Sequence, residues 1–278
     1  CIEVEINGKK SSKRILNDGL PQGSVLSCLL YCLYTSDIPN TRSRLFMYAD
    51  DIAMGFQGKA FDEIEKVLRA DLVRLSRYFA KWRLKPNADK TVSCVFHLNN
   101  REANRRLKIR FNGKRIKHDK NPKYLGVILD RSLTYRPHLT STKKKLKSRV
   151  NIVQKLAGSS WGCTAKTLRI TTQSLVMSIA DYCSPVWMNS SHTKMVDTQI
   201  NVALRIVCGA VQSTEVEWLT ALSNIAPAFI LREEAALREC EKIRRDDELP
   251  IHEDMTLAPI GLRLKSRKPF WCFYREST

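Results

Sequence analysis

An α+β fold, with a small antiparallel part followed by an all-helical part, is what the sequence predicts. Two Asn-Gly pairs, Asn7-Gly8 and Asn112-Gly113, separate short strand-like segments, and such pairs are the usual signal of a two-residue hairpin turn. Apolar residues recur every three or four positions over 61–82, which indicates an amphipathic helix packed on a sheet. From Pro137 onward the pattern is helical, so the boundary between the two parts is expected near residue 131.

Strand signals in the N-terminal part come mostly in pairs. The predicted pairs are Ile2–Ile6 with a basic strand to about Ile15, Leu45–Tyr48 with Ile52–Gly55, and Leu107–Phe111 with Arg115–Lys117. Single strands are predicted at Val92–Leu98 and Tyr124–Leu129, and Gly126 inside the second indicates close approach of another backbone. The apolar run Ser24–Tyr34 follows a Gly-rich turn and suits a buried helix.

Capping residues and helix breakers divide the C-terminal part. The predicted helices are about Pro137–Leu156, Thr164–Tyr182 with Thr164 as its N-cap, Thr193–Cys208, and Pro227–Arg245. Residues 246–278 form a basic and aromatic tail, whose aromatic side chains are expected to pack on the helices rather than to stack on bases.

The chain is strongly basic, and the charge is concentrated. Its 278 residues include 47 Lys and Arg against 28 Asp and Glu, for a formal net charge of +19. The window 101–150 alone holds 17 Lys and Arg and 3 acidic residues. Such a cluster is typical of a surface that contacts phosphates, although a solvated basic face or a localisation signal explains it equally well. No apolar stretch is long enough to span a bilayer, so a membrane partner is not expected.

The nine cysteines are widely spaced and include no CxxC pair, so neither a zinc site nor a disulfide framework is indicated. A reducing compartment follows from this usage. Cys28 and Cys32 lie in the apolar run and are interpreted as small buried side chains.

Two adjacent acids between apolar arms, Asp50 and Asp51, are the sharpest candidates for chemistry. In a tight turn both carboxylates can face one cation, which offsets the repulsion between them. The plainer alternative is an acidic turn facing solvent. The Gly-rich turn 17–23 ahead of a helix favours approach of a phosphate, and Lys90 ends a turn before a strand. An ordinary helix start and an ordinary turn explain these last two features as well.

Four motifs in a fixed order connect these features. The runs LPQGSVLS (20–27), YADD (48–51), LKPNADKT (84–91) and KYLGVILD (123–130) resemble the consecutive palm motifs of reverse transcriptases from non-LTR, LINE-like retrotransposons, in particular the insect jockey group. The run YCSPVW (182–187) and the segment 199–205 resemble the thumb and following region of those polymerases. The resemblance implies a partial polymerase palm over 1–130, a helical thumb and following region over 131–245, and the tail 246–278.

The resemblance also implies residue roles in RNA-directed DNA synthesis by two-metal nucleotidyl transfer. Asp50 and Asp51 would bind the catalytic Mg²⁺ ions, and Lys90 would lie near the triphosphate of the incoming dNTP as charge neutraliser or general acid. The nucleotide pocket would be formed by Pro21, Gln22 and Gly23, and Tyr124, Leu125 and Gly126 would be the hairpin that grips the primer terminus. The backbone of the RNA template and DNA primer hybrid would follow Lys143, Lys144, Lys145, Lys147 and Arg149. Such a protein is expected in an intracellular ribonucleoprotein, nuclear and cytoplasmic.

One departure from the family pattern concerns the metal site. The family takes a third carboxylate from a motif upstream of the LPQG turn, and in this chain only residues 1–19 precede that turn, with Asp18 too close to it. We therefore expect the isolated chain to be inactive as a polymerase. The alternative is a catalytically inactive, retroelement-derived nucleic-acid-binding protein. A group II intron maturase or a retroviral polymerase shares the YxDD turn, but the thumb-like residues favour the jockey group.

Overall fold

The computed structural model describes residues 3–15, 24–97, 99–158, 161–256 and 269–272. The chain divides into two compact units, the first comprising 1–88 with 109–115 and the second 89–108 with 116–278. The boundary expected near residue 131 does not coincide with this division, because residues 116–130 fall within the second unit. The assignment of a palm and a thumb stays a prediction.

The strands are short and pair two by two. In chain order they are β1 (Glu5–Ile6), β2 (Lys9–Lys10), β3 (Arg44–Tyr48), β4 (Asp51–Gly55), β5 (Val92–Ser93), β6 (Arg110–Phe111), β7 (Lys114–Arg115), β8 (Lys117–His118), β9 (Lys123–Tyr124) and β10 (Val127–Ile128). All pairs are antiparallel hairpins except β5 with β8, which run parallel. The three predicted hairpins are thus confirmed. The strands of the first and third are shorter than expected, and those of β3–β4 are each one residue longer.

Helices make up most of the rest of the described chain. They are α1 (Val25–Tyr34), α2 (Phe61–Lys81), α3 (Asn100–Ala103), α4 (Arg136–Leu156), α5 (Ala165–Thr172), α6 (Ser178–Asp181), α7 (Ser184–Trp187), α8 (Lys194–Cys208), α9 (Val216–Ser223), α10 (Ala228–Arg244) and α11 (Ile251–Thr256). A π-helical stretch, Gln173–Met177, joins α5 to α6. Among the helices described, none is long and apolar enough to cross a membrane.

In the first unit, α2 packs as its sequence period predicts. Val67, Leu72, Leu75 and Phe79 are buried along one face. Asp71 lies fully buried in the same stripe, and its carboxylate accepts hydrogen bonds from the backbone N–H groups of residues 43 (2.8 Å) and 42 (3.3 Å), just before β3. Burial alone raises the pKa of Asp71, but these hydrogen bonds outweigh it and lower the pKa below its ordinary value. Asp71 therefore anchors the start of the β3–β4 hairpin to the helix.

The helix α1 forms where predicted, but it is not the buried helix expected. No residue of α1 is buried, and the Leu26, Leu29 and Leu33 side chains are each about 60% exposed. Cys28 and Cys32, interpreted from sequence as buried, are exposed too. The first two-thirds of the helix are not covered by the described residues, whereas its end packs through Tyr34, whose ring meets the Trp82 ring edge-on at 5.1 Å. An apolar sequence shows that a helix can be buried, not that a neighbouring layer covers it.

Cys28 and Cys32 are consequently expected to react with iodoacetamide at pH 8 before Cys94 and Cys240 do. Cys240 is buried, so the reagent cannot reach its thiol. Burial together with the charge of Asp119 raises the pKa of Cys94 to about 11, so little of the reactive thiolate forms there at pH 8. Peptide mass spectrometry after brief alkylation would give the order of labelling. In urea the difference should disappear, and labelling of Cys94 ahead of Cys28 in the folded protein would contradict the exposure described.

The second unit has its core between α4 and α8. Among the largest fully buried side chains there are Leu139, Leu146, Val153, Val176, Trp187, Ile200, Leu204 and Leu219. The predicted N-cap is confirmed, since the Thr164 side chain accepts from the backbone N–H of Thr167 (3.3 Å) at the start of α5. The helix α8 ends at Cys208 as predicted, and Gly209 follows it in the left-handed conformation.

The single strand predicted over Tyr124–Leu129 is wrong. The chain turns back within it, so that Val127 pairs with Tyr124 and Ile128 with Lys123. Leu125 (φ 43°) and Gly126 (φ 82°) form the turn, and positive φ at both central residues is the backbone of a type I′ hairpin. Likewise, the strand predicted over Val92–Leu98 is reduced to the two residues of β5.

Candidate functional site

The two candidate acids lie at the tip of the β3–β4 hairpin. The strands pair from Arg44 with Gly55 to Tyr48 with Asp51, so Ala49 and Asp50 form the two-residue turn. Both Asp50 and Asp51 are exposed. Ala49 adopts the left-handed conformation with φ 50°, which is uncommon for a residue other than glycine. The predicted arrangement, two acids at the tip of a hairpin, is confirmed.

A tyrosine from α1 contacts this turn. The Tyr31 hydroxyl donates a hydrogen bond to the Ala49 carbonyl oxygen at 3.2 Å. Burial raises the pKa of Tyr31, and the negative charge of Asp50 raises it further because it disfavours the tyrosinate. Sequence reasoning missed this residue, since Tyr31 appeared only as one more apolar position of a helix.

The two carboxylates of this turn, those of Asp50 and Asp51, could form part of a magnesium site. Among the described residues, no group of three or more His, Cys, Asp or Glu side chains is placed to hold a metal ion. Mg²⁺ commonly binds through one or two carboxylates and completes its octahedron with water and substrate phosphates. Asp50 and Asp51 can therefore supply two oxygen ligands, and the remaining ligands have to come from substrate or from other carboxylates.

The remaining residues predicted around the nucleotide are placed only in part. Lys90 is exposed and ends the turn 88–90 ahead of β5. It belongs to the second unit, whereas Asp50 and Asp51 belong to the first. Pro21, Gln22 and Gly23 lie outside the described residues. The roles of these four residues stay predictions.

The predicted primer grip is a tight hairpin held by Tyr182. The Tyr182 hydroxyl donates to the Leu125 carbonyl oxygen at 3.0 Å. A Cβ atom on Gly126 would lie 3.0 Å from a ring carbon of Tyr182 and 3.2 Å from its hydroxyl, closer than ordinary contacts allow. Positive φ and the approach of this ring both explain why a glycine stands here. The KYLG and YCSPVW runs, more than 50 residues apart in sequence, are thus in direct contact.

The same hairpin is fixed to the helical core at its other strand. The backbone N–H of Ile128 donates to Nδ1 of His138 at 3.4 Å, and the His138 ring lies 6.4 Å from the Trp187 ring, centre to centre. Burial, and next the positive charge of Lys145, lower the pKa of His138, which favours the neutral imidazole that can accept this bond. Trp187 in turn donates from Nε1 to the backbone carbonyl of Tyr182 at 3.3 Å. The hairpin therefore belongs structurally to the second unit.

The five basic residues predicted to follow nucleic acid are all exposed on α4, where they occupy two flanks of the helix. The buried stripe of α4 runs through Leu139, Leu146 and Val153. At 100° per residue, one flank of this stripe carries Lys143, Lys144 and Lys147, and the opposite flank carries Lys145 and Arg149.

An open groove of about 680 Å³ lies between the C-terminal parts of α4 and α8. Its polar lining includes Gln154, Asn201 and Arg205. Gln154 follows Lys147 by seven residues and so lies on the same flank of α4. Arg205 donates from Nη2 to the Thr214 carbonyl at 2.9 Å, while its buried Nε has no partner among the described residues.

Comparison with known proteins agrees with the motifs. Residues 1–129 match the family described as reverse transcriptase (RNA-dependent DNA polymerase). The RNA-directed DNA polymerase from mobile element jockey of Drosophila funebris is 34% identical over 156 residues, which cover 53% of this chain and 17% of that protein. The probable RNA-directed DNA polymerase from transposon BS of Drosophila melanogaster is 30% identical over 193 residues, 66% of this chain and 21% of that protein.

A more distant relative is the retrovirus-related Pol polyprotein from type-1 retrotransposable element R1 4 of Nasonia vitripennis, 26% identical over 200 residues, which cover 66% of this chain and 51% of that protein. No solved structure matches the chain. The chain thus spans about a fifth of the length of the jockey and BS polymerases. With the four motifs in order, residues 1–129 of the chain belong to the reverse transcriptase family. The jockey and BS polymerases to which the chain is similar come from a mobile element and a transposon.

Proposed function

We propose that this chain is the part of an RNA-directed DNA polymerase that presents the catalytic aspartates and contacts the primer end and the hybrid backbone. Its substrates are an RNA template, a DNA primer and dNTPs. The observation that carries the proposal is the exposed Asp50-Asp51 pair on a braced two-residue turn, within a chain of this family. The test is RNA-templated synthesis with and without the Asp50 carboxylate.

The proposed chemistry is two-metal nucleotidyl transfer. Bound Mg²⁺ would lower the pKa of the primer 3′-hydroxyl and stabilise the pyrophosphate leaving group. Asp50 and Asp51 would hold it, and a further carboxylate from elsewhere in the complete polymerase would complete the site. Lys90 would neutralise or protonate the triphosphate, and Pro21, Gln22 and Gly23 would line the nucleotide pocket. The 278-residue chain alone is accordingly proposed to be inactive.

The second unit would carry the product hybrid. Tyr124, Leu125 and Gly126 would contact the primer end from a turn fixed on the helices. A nucleic acid backbone following Lys143 and Lys147 along α4 would continue toward the groove at Gln154, about 10 Å beyond Lys147 at 1.5 Å per residue. Contacts of this kind read phosphate position and hybrid shape rather than sequence.

Lys147→Gln is expected to weaken hybrid binding more than Lys145→Gln. The two changes remove the same charge from the same helix, but Lys147 lies on the flank that leads to the groove. Binding of an RNA–DNA hybrid, followed by fluorescence anisotropy between 50 and 200 mM salt, should fall several-fold for Lys147→Gln, and the salt slope should decrease by about one. Equal losses for both variants would show that the charge of α4 acts as a whole and that no single flank is used.

A catalytically inactive nucleic-acid-binding protein of the same descent is the second candidate. The exposed basic residues of α4 would serve it equally well, since they need no metal. The two candidates differ in the role of the Asp50 carboxylate. It is essential to a polymerase, and a protein that only binds nucleic acid does not need it.

A further inference from the structure

The Asp50 turn and the Gly126 turn share one arrangement, although they lie in different units. In each, the first residue of a two-residue turn is left-handed without being glycine: Ala49 has φ 50° and Leu125 has φ 43°. In each, the carbonyl of that residue accepts a hydrogen bond from a tyrosine hydroxyl on a neighbouring segment, Tyr31 at 3.2 Å and Tyr182 at 3.0 Å.

The carbonyl that accepts the tyrosine hydrogen bond determines the orientation of the peptide unit at the centre of the turn. Because a peptide unit is planar, fixing the Ala49 carbonyl also fixes the amide of Asp50, and fixing the Leu125 carbonyl fixes the amide of Gly126. Left-handed Ala or Leu is intrinsically unfavourable, and such conformations persist where surrounding contacts hold them, often at functional sites. A tyrosine is suited to this task because its ring is held by packing while its hydroxyl reaches the backbone.

We propose that Tyr31 and Tyr182 are positioning residues that hold the metal-binding turn and the primer-contacting turn in their working directions. The proposal rests on the proposed function, which gives the two turns their tasks. Neither tyrosine needs to touch the reacting atoms. Each acts through the backbone of the residue that follows the bonded carbonyl.

The first test uses Mn²⁺ as the probe for the Asp50 turn and the 278-residue chain as the protein. Tyr31→Phe removes only the hydroxyl. Tyr34→Phe is the matched control, since it removes another α1 hydroxyl that donates to a backbone carbonyl, that of Trp82, away from the turn. Amide exchange at residues 49–51 should rise about 5- to 10-fold in Tyr31→Phe, as expected for one hydrogen bond, and stay unchanged in Tyr34→Phe. Mn²⁺-induced broadening of the same amide signals should require several-fold more metal.

The outcomes separate the two proposals. If Asp50→Asn leaves Mn²⁺ broadening unchanged, the proposed metal role fails, whatever Tyr31 does. If Asp50→Asn abolishes broadening but Tyr31→Phe behaves like Tyr34→Phe, only the positioning role fails. Adding Ala49→Gly to Tyr31→Phe should restore part of the lost metal affinity, because glycine adopts the left-handed conformation without a brace.

The second test addresses Tyr182 with two hybrids of equal length, one with a recessed DNA 3′ end on RNA and one blunt. Tyr182→Phe should raise amide exchange at Gly126 and Val127 and reduce the preference for the recessed end several-fold. Ser190→Ala is the matched control, because it removes a hydroxyl bond to the Thr134 carbonyl (2.6 Å) in the same unit, away from the hairpin. If Tyr182 only stabilised the second unit, Tyr182→Phe would lower the affinities for the recessed and the blunt hybrid equally.

A wild-type chain without any preference for the recessed end would refute the primer role of the turn. The amide-exchange result would then decide whether Tyr182 holds the turn in its conformation. A clear preference that Tyr182→Phe does not change would refute the positioning role. The double variant Tyr182→Phe/Leu125→Asn gives the conservative rescue, since asparagine tolerates the left-handed conformation better than leucine. Its exchange rates at Gly126 should return toward those of the wild type.

Discussion

Asp50→Asn is expected to reduce RNA-directed DNA synthesis by the complete polymerase by on the order of 10³-fold, because a lost carboxylate ligand removes several kcal/mol of electrostatic stabilisation from the transition state. Asparagine keeps the size of the side chain, and the turn that holds residue 50 is fixed by the backbone and by Tyr31 rather than by the carboxylate. RNA binding, which depends on exposed Lys and Arg, should be retained. Primer extension and filter binding on the same preparation would measure the two effects.

Asp62→Asn in the first turn of α2 is the control, since it makes the same chemical change in the same unit. Synthesis should be nearly unaffected by it. Unchanged synthesis in Asp50→Asn would exclude the metal role of this residue and favour the nucleic-acid-binding alternative. Robust, Asp50-dependent synthesis by the 278-residue chain alone would instead show that no carboxylate from elsewhere is required.

Arg232→Ala is expected to destabilise the second unit by about 2 kcal/mol, because it leaves the Asp197 carboxylate without its partner. The loss should stay below the ~3–5 kcal/mol of a fully buried ion pair, since the Asp197 side chain is 31% exposed. The Arg232 side chain is 8% exposed, and its guanidinium group donates two hydrogen bonds to the Asp197 carboxylate, of 2.6 and 3.2 Å. Its carbon also lies 5.7 Å from the centre of the Trp187 ring, in the core that supports Tyr182 and His138. Urea unfolding followed by circular dichroism would measure the change in the free energy of unfolding.

Arg238 offers the control on the same helix. It pairs with Glu234 at 3.6 Å, but both side chains are more than half exposed, so Arg238→Ala should change the free energy of unfolding by no more than about 0.5 kcal/mol. Similar losses for the two variants would mean that burial of the Arg232–Asp197 pair has little energetic weight.

The three two-residue hairpin turns with positive φ at both central positions show what could be predicted from sequence. Asn7-Gly8 and Asn112-Gly113 have this backbone and were predicted, because asparagine and glycine both tolerate positive φ. Leu125-Gly126 adopts the same backbone conformation, but only its glycine is a residue typical of such turns, since leucine rarely takes positive φ. The contact that favours the leucine turn comes from Tyr182, which no local pattern around residue 125 reveals.

Burial was predicted less well than secondary structure. The period of α2 identified its packed face, but it did not reveal that Asp71 in that face is satisfied by backbone N–H groups from another segment. From the apolar run of α1 we predicted a buried helix: the helix is present, but it is not buried. Burial depends on which other parts of the chain cover a helix, and the run itself does not show that. Of the candidate site, the acidic turn, the basic residues of α4 and the hairpin at Tyr124–Gly126 could be identified from motifs. The contacts of Tyr31 and Tyr182 with the two turns depend on packing between segments that are distant in sequence.

The chain passes between its two units at 88/89, 108/109 and 115/116, and this connectivity limits how the protein can be divided by recombination. A module that the chain enters and leaves once can be exchanged by crossovers at its ends. Here the β6–β7 hairpin belongs to the first unit but is flanked on both sides by second-unit residues, and the parallel partners β5 and β8 lie on either side of it. A single crossover anywhere in residues 94–116 would join strands from two different parents in one sheet. Neither unit can therefore be exchanged completely by a single crossover.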